Sequence, residues 1–407
     1  MERFFKDSST IQRFRSGPLG PYIQQLTDEL SRQGYARCPT RLRLRIAHQF
    51  GLWLTKRHVQ IADLTTSHAN QYLARYGNIK QGDAKTLRML LGILVEKGIV
   101  RRPPEPTKTE GQKVVDDFSI YLEQQLVLAP RTIEALSRHT RSFLAYRFGD
   151  MVIDLSAIQP EDVMAFVRRD AARKCAASAK NTTTALRSFL HYLQYSGFHN
   201  RDLASAVPSV ADWSLSNIPR GLSRHQVSCV LSSCDRGTSI GRRDYAVLLL
   251  LARLGLRAGE VAALILDDID WATGTISVCS KGGTPCRLPL PRDVGDAIAT
   301  YLRKDRPIVS SRRVFLRIPA PHTGFEGHRA VCLIVKYALA RAGVHSRSRG
   351  AHQFRHTLAT EMLKHGAALV DIGQILRHKK PKTTFIYAKV DFAALRPLAK
   401  RWPGGVA

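Results

Sequence analysis

Acidic residues are scarce in this chain. Its 407 residues include 33 Asp and Glu against 62 Lys and Arg, a formal net charge of +29. A surplus of that size repels itself unless a polyanion neutralises it, so nucleic acid is the leading class of partner. Long apolar runs are also missing. The longest, Tyr245 to Ala252, falls far short of the roughly 20 residues that cross a bilayer. No Lys/Arg-rich amphipathic helix with an aromatic face is present to favour a membrane surface. Met1-Glu2-Arg3-Phe4-Phe5 leads into no apolar signal core, so the expected location is the cytoplasm, on the bacterial nucleoid when bound to DNA. Cysteine is sparse: Cys38, Cys175, Cys229, Cys234, Cys279, Cys286 and Cys332 are odd in number and form no CxxC pair. That pattern excludes a disulfide framework and a zinc knuckle, and reduced thiols are expected even for Cys279 and Cys286, which a hairpin could bring together.

The length implies two or three domains at roughly 150 residues each. Two stretches rich in helix breakers divide it: Arg101-Arg102-Pro103-Pro104-Glu105-Pro106, and the run from Pro208 through Trp213 to Pro219-Arg220-Gly221-Leu222. The expected domains are therefore 1–105, 111–207 and 219–407. The first two read as copies of one helical unit. Phe50-Gly51-Leu52-Trp53 answers to Phe143-Leu144-Ala145-Tyr146, and Ile61-Ala62-Asp63-Leu64 to Leu155-Ser156-Ala157-Ile158. Leu87-Arg88-Met89-Leu90-Leu91 answers to Leu186-Arg187-Ser188-Phe189-Leu190, with the offset drifting only from 93 to 99. Each copy shows about four amphipathic helices by its i, i+3, i+4 apolar spacing.

The third segment is mixed. Arg243 to Leu254 and Gly259 to Leu266 read as helices. Thr275 to Cys279 and Cys286 to Leu290 flank Lys281-Gly282-Gly283-Thr284 as a β-hairpin, and helices resume from Gln353. The expected fold class is mainly α with a small β-sheet: two helical clamp domains, then a mixed α+β domain.

Four motifs in this segment share one chemistry. They are Leu254-Gly255-Leu256-Arg257-Ala258-Gly259-Glu260, the turn carrying Lys281, His352-Gln353-Phe354-Arg355-His356-Thr357, and Leu376-Arg377-His378 with Tyr387 nine residues later. His352 and Arg355, three apart, share one helix face. Breaking a phosphodiester places extra negative charge on the non-bridging oxygens, and fixed guanidiniums and imidazoles are suited to receive it. Arg257, Arg355 and His378 supply such a set. A tyrosine phenol, with a pKa near 10, is a nucleophile once activated, and a lysine on a turn can protonate the departing oxygen. A transesterification of this kind conserves bond energy and calls for no cofactor, metal or ATP.

Arg257, Lys281, His352, Arg355, His378 and Tyr387 resemble, in order and local context, the active-site signature of the tyrosine recombinase (phage integrase) family. The resemblance implies Arg257 and Arg355 as phosphate clamps, Lys281 as general acid and Tyr387 as nucleophile. It also implies His352 as a proton-transfer or positioning residue, His378 as a phosphate donor and Glu260 as the acid that orients an arginine. It covers about Pro219 to Val390, and residues 111–207 look like the family's helical core-binding domain. The implied activity is site-specific DNA recombination by an integrase or transposase through a 3′-phosphotyrosine. The family usually has Gly where this chain has Arg377. His356, His365 and Arg253 read as packing or surface residues.

Expected partners are double-stranded DNA and, on it, a homo-tetramer, with related recombinases as further possible members. Arg131, Thr132, Arg138, Arg141, Lys180, Asn181 and Arg187 are candidate DNA contacts in the second segment, as are Arg41, Arg43 and Arg45 in the first. The competing readings are a tyrosine-type topoisomerase and a catalytically silent DNA-binding accessory protein. The latter is disfavoured because all six signature positions are filled.

Overall fold

The computed structural model describes residues 1–5, 7–75, 81–101, 108–149, 151–210, 221–279, 285–346, 350–390 and 396–398. Most of both expected linkers, the turn carrying Lys281 and most of the C-terminal tail lie outside the described residues. The chain divides into two compact units, Pro104–Ser216 and the remainder, Met1–Pro103 with Asn217–Ala407. Three large hydrophobic cores form, one for each segment expected from the sequence.

Residues 1–103 fold into α1 (Ser8–Ser16), α2 (Gly20–Arg32), α3 (Arg37–Lys56), a 3-10 turn at Ile61–Asp63, α4 (Thr66–Ala74) and α5 (Gln81–Glu96). Their apolar stripes converge on Leu30, Leu44, Phe50, Leu90 and Leu94, all fully buried. This bundle belongs with the C-terminal part of the chain, which the sequence did not lead us to expect. The joint is local: His322 N–H donates to Gln33 O (3.1 Å), Ala320 packs against the first core, and the His322 ring fills the space where a side chain on Gly34 would stand. Gly34 is left-handed (φ 79°), so glycine is required there twice over.

The unit Pro104–Ser216 comprises α6 (Glu110–Gln124), α7 (Pro130–Phe148), a 3-10 turn at Leu155–Ala157, α8 (Pro160–Arg173) and α9 (Ala176–Tyr195). Pro130 and Pro160 open their helices at the first position, where a missing N–H costs nothing. Phe118, Phe143 and Phe189 form its aromatic centre.

From residue 221 the order is α10 (Arg224–Ser232), α11 (Ser239–Leu254), α12 (Ala258–Ala263), strands β1 (Ile269–Asp270), β2 (Thr275–Cys279) and β3 (Pro285–Pro289), then α13 (Arg292–Lys304), α14 (His328–Arg341), α15 (His352–Lys364) and α16 (Leu369–Ile375). Helix α11 is apolar around most of its circumference, from Ala246 to Leu251, and is accordingly buried. The sheet is antiparallel in the order β1-β2-β3, with Val278 opposite Cys286 and Cys279 opposite Pro285. The two cysteines are thus out of register, and all seven are free thiols. Helix α12 stops three residues earlier than the periodicity indicates. Leu264 O accepts from Val314 N–H (2.9 Å) and Ile265 bridges Arg313, so the chain there pairs with an extended segment. Beyond α16, 3-10 turns at Pro381–Thr383 and Phe385–Val390 bring Tyr387 back against α15.

Candidate active site

The site forms where the C-terminal ends of α11 and α16 meet the N-terminal parts of α12 and α15. Gly255 ends α11 in the left-handed region (φ 56°), and a Cβ there would press on Leu358 and Leu376. Two carbonyls at helix ends, Gly255 after α11 and Leu376 after α16, both accept from the buried Arg355 guanidinium; the first bond is 2.7 Å. Burial, then the neighbouring charges of Arg257 and Arg377, push the Arg355 pKa down to about 9, so it is still a cation at neutral pH.

Arg257 is the N-cap of α12. Its backbone N–H donates to Glu260 Oε2 (2.8 Å) and its guanidinium to Oε1 (2.7 Å). The same carboxylate receives Arg377 Nη2 at 2.9 Å in a pair whose side chains are about 5% exposed. Burial alone would raise the Glu260 pKa. The Arg257 N–H and the two guanidiniums overcome it and hold the carboxyl below its ordinary value. Arg377 itself has φ 55°, in the region that favours glycine, and this explains the family's usual residue there. Its side chain also donates to Ile375 O (3.1 Å), while its buried Nε finds no partner.

His378 follows at once. Its Nδ1 meets the buried Thr384 hydroxyl at 2.8 Å, and its N–H donates to Gly373 O. Burial, followed by Arg355, Arg257 and Arg377, lowers its pKa to about 4. His352 opens α15 beside the same arginines. Burial of its inner side, then Arg355 and Arg257, lowers its pKa too.

Tyr387 is 2% exposed and packs on Ala359, Ile372 and Leu376. Burial raises its pKa, with Arg355 opposing, and its hydroxyl lies 3.0 Å from His356 Nδ1. Burial, His352 and Arg355 bring the His356 pKa down to about 4, so this imidazole is neutral and too weak a base to deprotonate a phenol.

Arg257, Glu260, His352, Arg355, His378 and Tyr387 are therefore gathered at one place, while Lys281 lies outside the described residues. The structure adds three residues to those that sequence reasoning assigned a role. His356 reads from sequence as a packing or surface residue; the clue was its place beside Arg355. Arg377 carried a signal, a large residue where glycine is usual. Thr384 carried none. His365, bonded to the Glu361 carbonyl, and Arg253, paired with Asp293 at 2.8 Å, remain local surface residues.

The proposed DNA contacts divide by geometry. Arg187 donates to Val207 O and Pro208 O, and Arg43 to Gly82 O and Thr86 Oγ1 while lying over the Tyr35 ring, so both have structural duties. Arg41 lies over Phe5. Arg45, Arg131, Thr132, Arg138, Arg141, Lys180 and Asn181 are on the surface.

Comparison with known proteins agrees with this geometry. Residues 220–394 match the phage integrase family model, and residues 115–197 match the phage integrase N-terminal SAM-like domain. The putative integrase/recombinase y4rA of Sinorhizobium fredii is 45% identical over 99% of both chains. The tyrosine recombinase XerD of Listeria monocytogenes is 29% identical over 71% of this chain and 98% of its own. Among solved structures, XerH site-specific recombinase bound to palindromic difH substrate superposes with a TM-score of 0.56 at 18% identity, over 71% of this chain and 85% of that one. A lambda integrase tetramer bound to a Holliday junction gives 0.52 at 15% identity, over 81% and 91%. At such identities the structural likenesses establish the fold.

Proposed function

Because this chain belongs to the phage integrase family of tyrosine recombinases, we propose that it cleaves and rejoins duplex DNA at specific sites, with Tyr387 as the nucleophile. The observation that carries the assignment is the convergence of Arg355, Arg257 and His378 beside a buried tyrosine, with Arg355 held by backbone carbonyls, Arg257 by Glu260 and the His378 ring by the Thr384 hydroxyl. Such groups are preorganised, so little is lost in reorienting them when charge develops on a phosphate.

In the proposed step the Tyr387 hydroxyl gives up its proton to solvent, directly or by way of His352, its oxygen attacks phosphorus, the P–O5′ bond breaks, and the 5′-oxygen takes a proton from Lys281. The 3′-phosphate is left esterified to Tyr387, and the reverse step with a new 5′-hydroxyl rejoins DNA. Arg257 and Arg355 hold the non-bridging oxygens, and Glu260 orients Arg257. Thr384 fixes the His378 ring by Nδ1 and leaves Nε2 for the phosphate, whose negative charge raises the imidazole pKa and strengthens that bond. His352 positions the site or relays a proton. Tyr387 stands buried beside a neutral imidazole, so it must be released and activated by the arriving phosphate and its arginines.

The test is covalent trapping on a nicked substrate. The wild-type chain should form a denaturant-resistant adduct with DNA, and Tyr387→Phe should form none while binding DNA with nearly unchanged affinity. Persistent adduct in the variant would remove Tyr387 from this role.

Four strand cleavages are needed to exchange two duplexes and each chain carries one Tyr387, so the working form is proposed to be a tetramer assembled on DNA. Self-repulsion at +29 opposes association of the free chain. Sedimentation with and without DNA distinguishes this from a preformed tetramer, which would refute it.

A further inference from the structure

The matched family ranges begin at residue 115, yet residues 1–103 repeat the plan of the SAM-like unit closely. Helices α2, α3, α4 and α5 correspond to α6, α7, α8 and α9, and the 3-10 turn Ile61–Asp63 to Leu155–Ala157. The turns are followed by matching capping boxes, Thr65 with His68 and Gln159 with Asp162. Side chains repeat as well. Phe50 meets Tyr72 edge-on at 5.1 Å and Trp53 meets Tyr72 at 5.7 Å; Phe143 meets Phe166 edge-on at 5.3 Å and Tyr146 meets Phe166 at 5.3 Å. Along α3 the buried positions 40, 44, 47, 50 and 51 answer to 133, 137, 140, 143 and 144 of α7, all buried or half-buried. Both last helices end on a left-handed glycine, Gly98 (φ 70°) and Gly197 (φ 76°). In each the next N–H reaches back five residues, Ile99 to Leu94 and Phe198 to Leu193. Chance similarity of helical bundles does not reproduce an aromatic triad, a capping box and a C-cap in one order.

Charge says what the copy is for. Residues 1–103 hold 18 Lys and Arg against 7 Asp and Glu. Helix α3 carries five of the cations and no acid. Arg43 pins α3 to α5 through Gly82 and Thr86, and the outer sides of these helices expose Arg45 and Arg88. The counterpart of Arg45 in the SAM-like unit, by the same alignment, is Arg138, which is likewise exposed; that of Arg88 is Arg187, which is tied to the Val207 and Pro208 carbonyls. A folded surface this basic, with its internal cations already committed to packing, fits a polyanion of regular spacing.

We propose that residues 1–103 are a second clamp for duplex DNA, gripping backbone phosphates with the outer faces of α3 and α5. The proposal rests on the recombinase reading above, whose own test is the Tyr387 adduct. Here the full-length chain is titrated with a labelled random-sequence duplex over a range of salt concentrations, because phosphate contacts are sequence-independent. Arg45→Ala/Arg88→Ala should lower the slope of log Kd against log salt by nearly 2, at about 0.9 per lost phosphate contact. Adduct formation on a saturating nicked substrate should persist. Arg13→Ala/Arg15→Ala, on α1 of the same bundle, should leave the slope near the wild-type value. An unchanged slope in the first pair, with circular dichroism confirming its fold, would overturn the clamp, and so would equal reductions in both pairs. Loss of adduct in the wild-type chain would instead count against the recombinase reading.

Discussion

Arg377 offers the sharpest test of how the site is held, because its backbone and its side chain pull in opposite directions. At φ 55° a side chain costs about 1–2 kcal/mol relative to glycine. Arg377→Gly removes that strain, although glycine's freedom in the unfolded chain returns about 0.4–1 kcal/mol of the gain. It also breaks the buried contact with Glu260. Removing one partner of a buried pair costs about 3–5 kcal/mol when the remaining charge is stranded. Glu260 is not stranded, since it keeps the Arg257 guanidinium and N–H, so the lower end applies. The expected net effect is a destabilisation of about 1.5–3 kcal/mol for Arg377→Gly and of about 3 kcal/mol for Arg377→Ala, which loses the pair and keeps the strain. The difference between the two variants reads the backbone term alone. Urea denaturation measures both. Single-turnover cleavage then shows whether Glu260, released on one side, still holds Arg257; a fall in rate at saturating DNA is expected in both variants. Equal stability of the Gly and Ala variants would refute the strain argument. A Gly variant more stable than wild type, by the whole of the backbone gain, would show that the Glu260 contact contributes nothing.

Stability should also fall in mild acid. The folded pKa values of His356 and His378, about 4, lie below the unfolded value of about 6.5, so the unfolded chain binds the protons first. The contribution is complete above about pH 6.5 and is lost as pH falls to about 4; His356→Gln/His378→Gln should flatten this part of the urea-midpoint profile, and an unchanged slope would refute it. His356→Phe removes one hydrogen bond to Tyr387, worth about 1 kcal/mol, and should slow cleavage by several-fold while leaving DNA affinity intact. A wild-type rate would show that the bond does not help position the phenol. Lys281→Ala should slow cleavage of normal DNA about a hundredfold or more, and a 5′-bridging sulfur, which leaves without a proton, should rescue it; equal defects on both substrates would assign Lys281 to phosphate binding.

Periodicity and charge made much of this molecule legible, because burying a helix face or neutralising a phosphate imposes residue types at fixed spacing. The three cores, the hairpin strands, the spacing of His352 and Arg355, and the matching order of the first two helical sets all follow from such local rules. Features set by three-dimensional closure did not show. His356 is adjacent to Arg355 and so points elsewhere on α15; only the return of the chain through Phe385–Val390 brings a phenol to it. The alternating Arg41, Arg43 and Arg45 looked equivalent along the chain, yet a helix distributes them around its circumference. Arg43 is turned inward to Thr86 and Arg45 outward. The docking of the first bundle through Gly34 and His322 rests on one glycine and one ring, which leave no periodic trace. Arg377 is the instructive case. Its departure from the usual glycine marks a position where backbone geometry disfavours any side chain. An arginine can persist there when its guanidinium is built into the site, and the buried pair with Glu260 is that compensation.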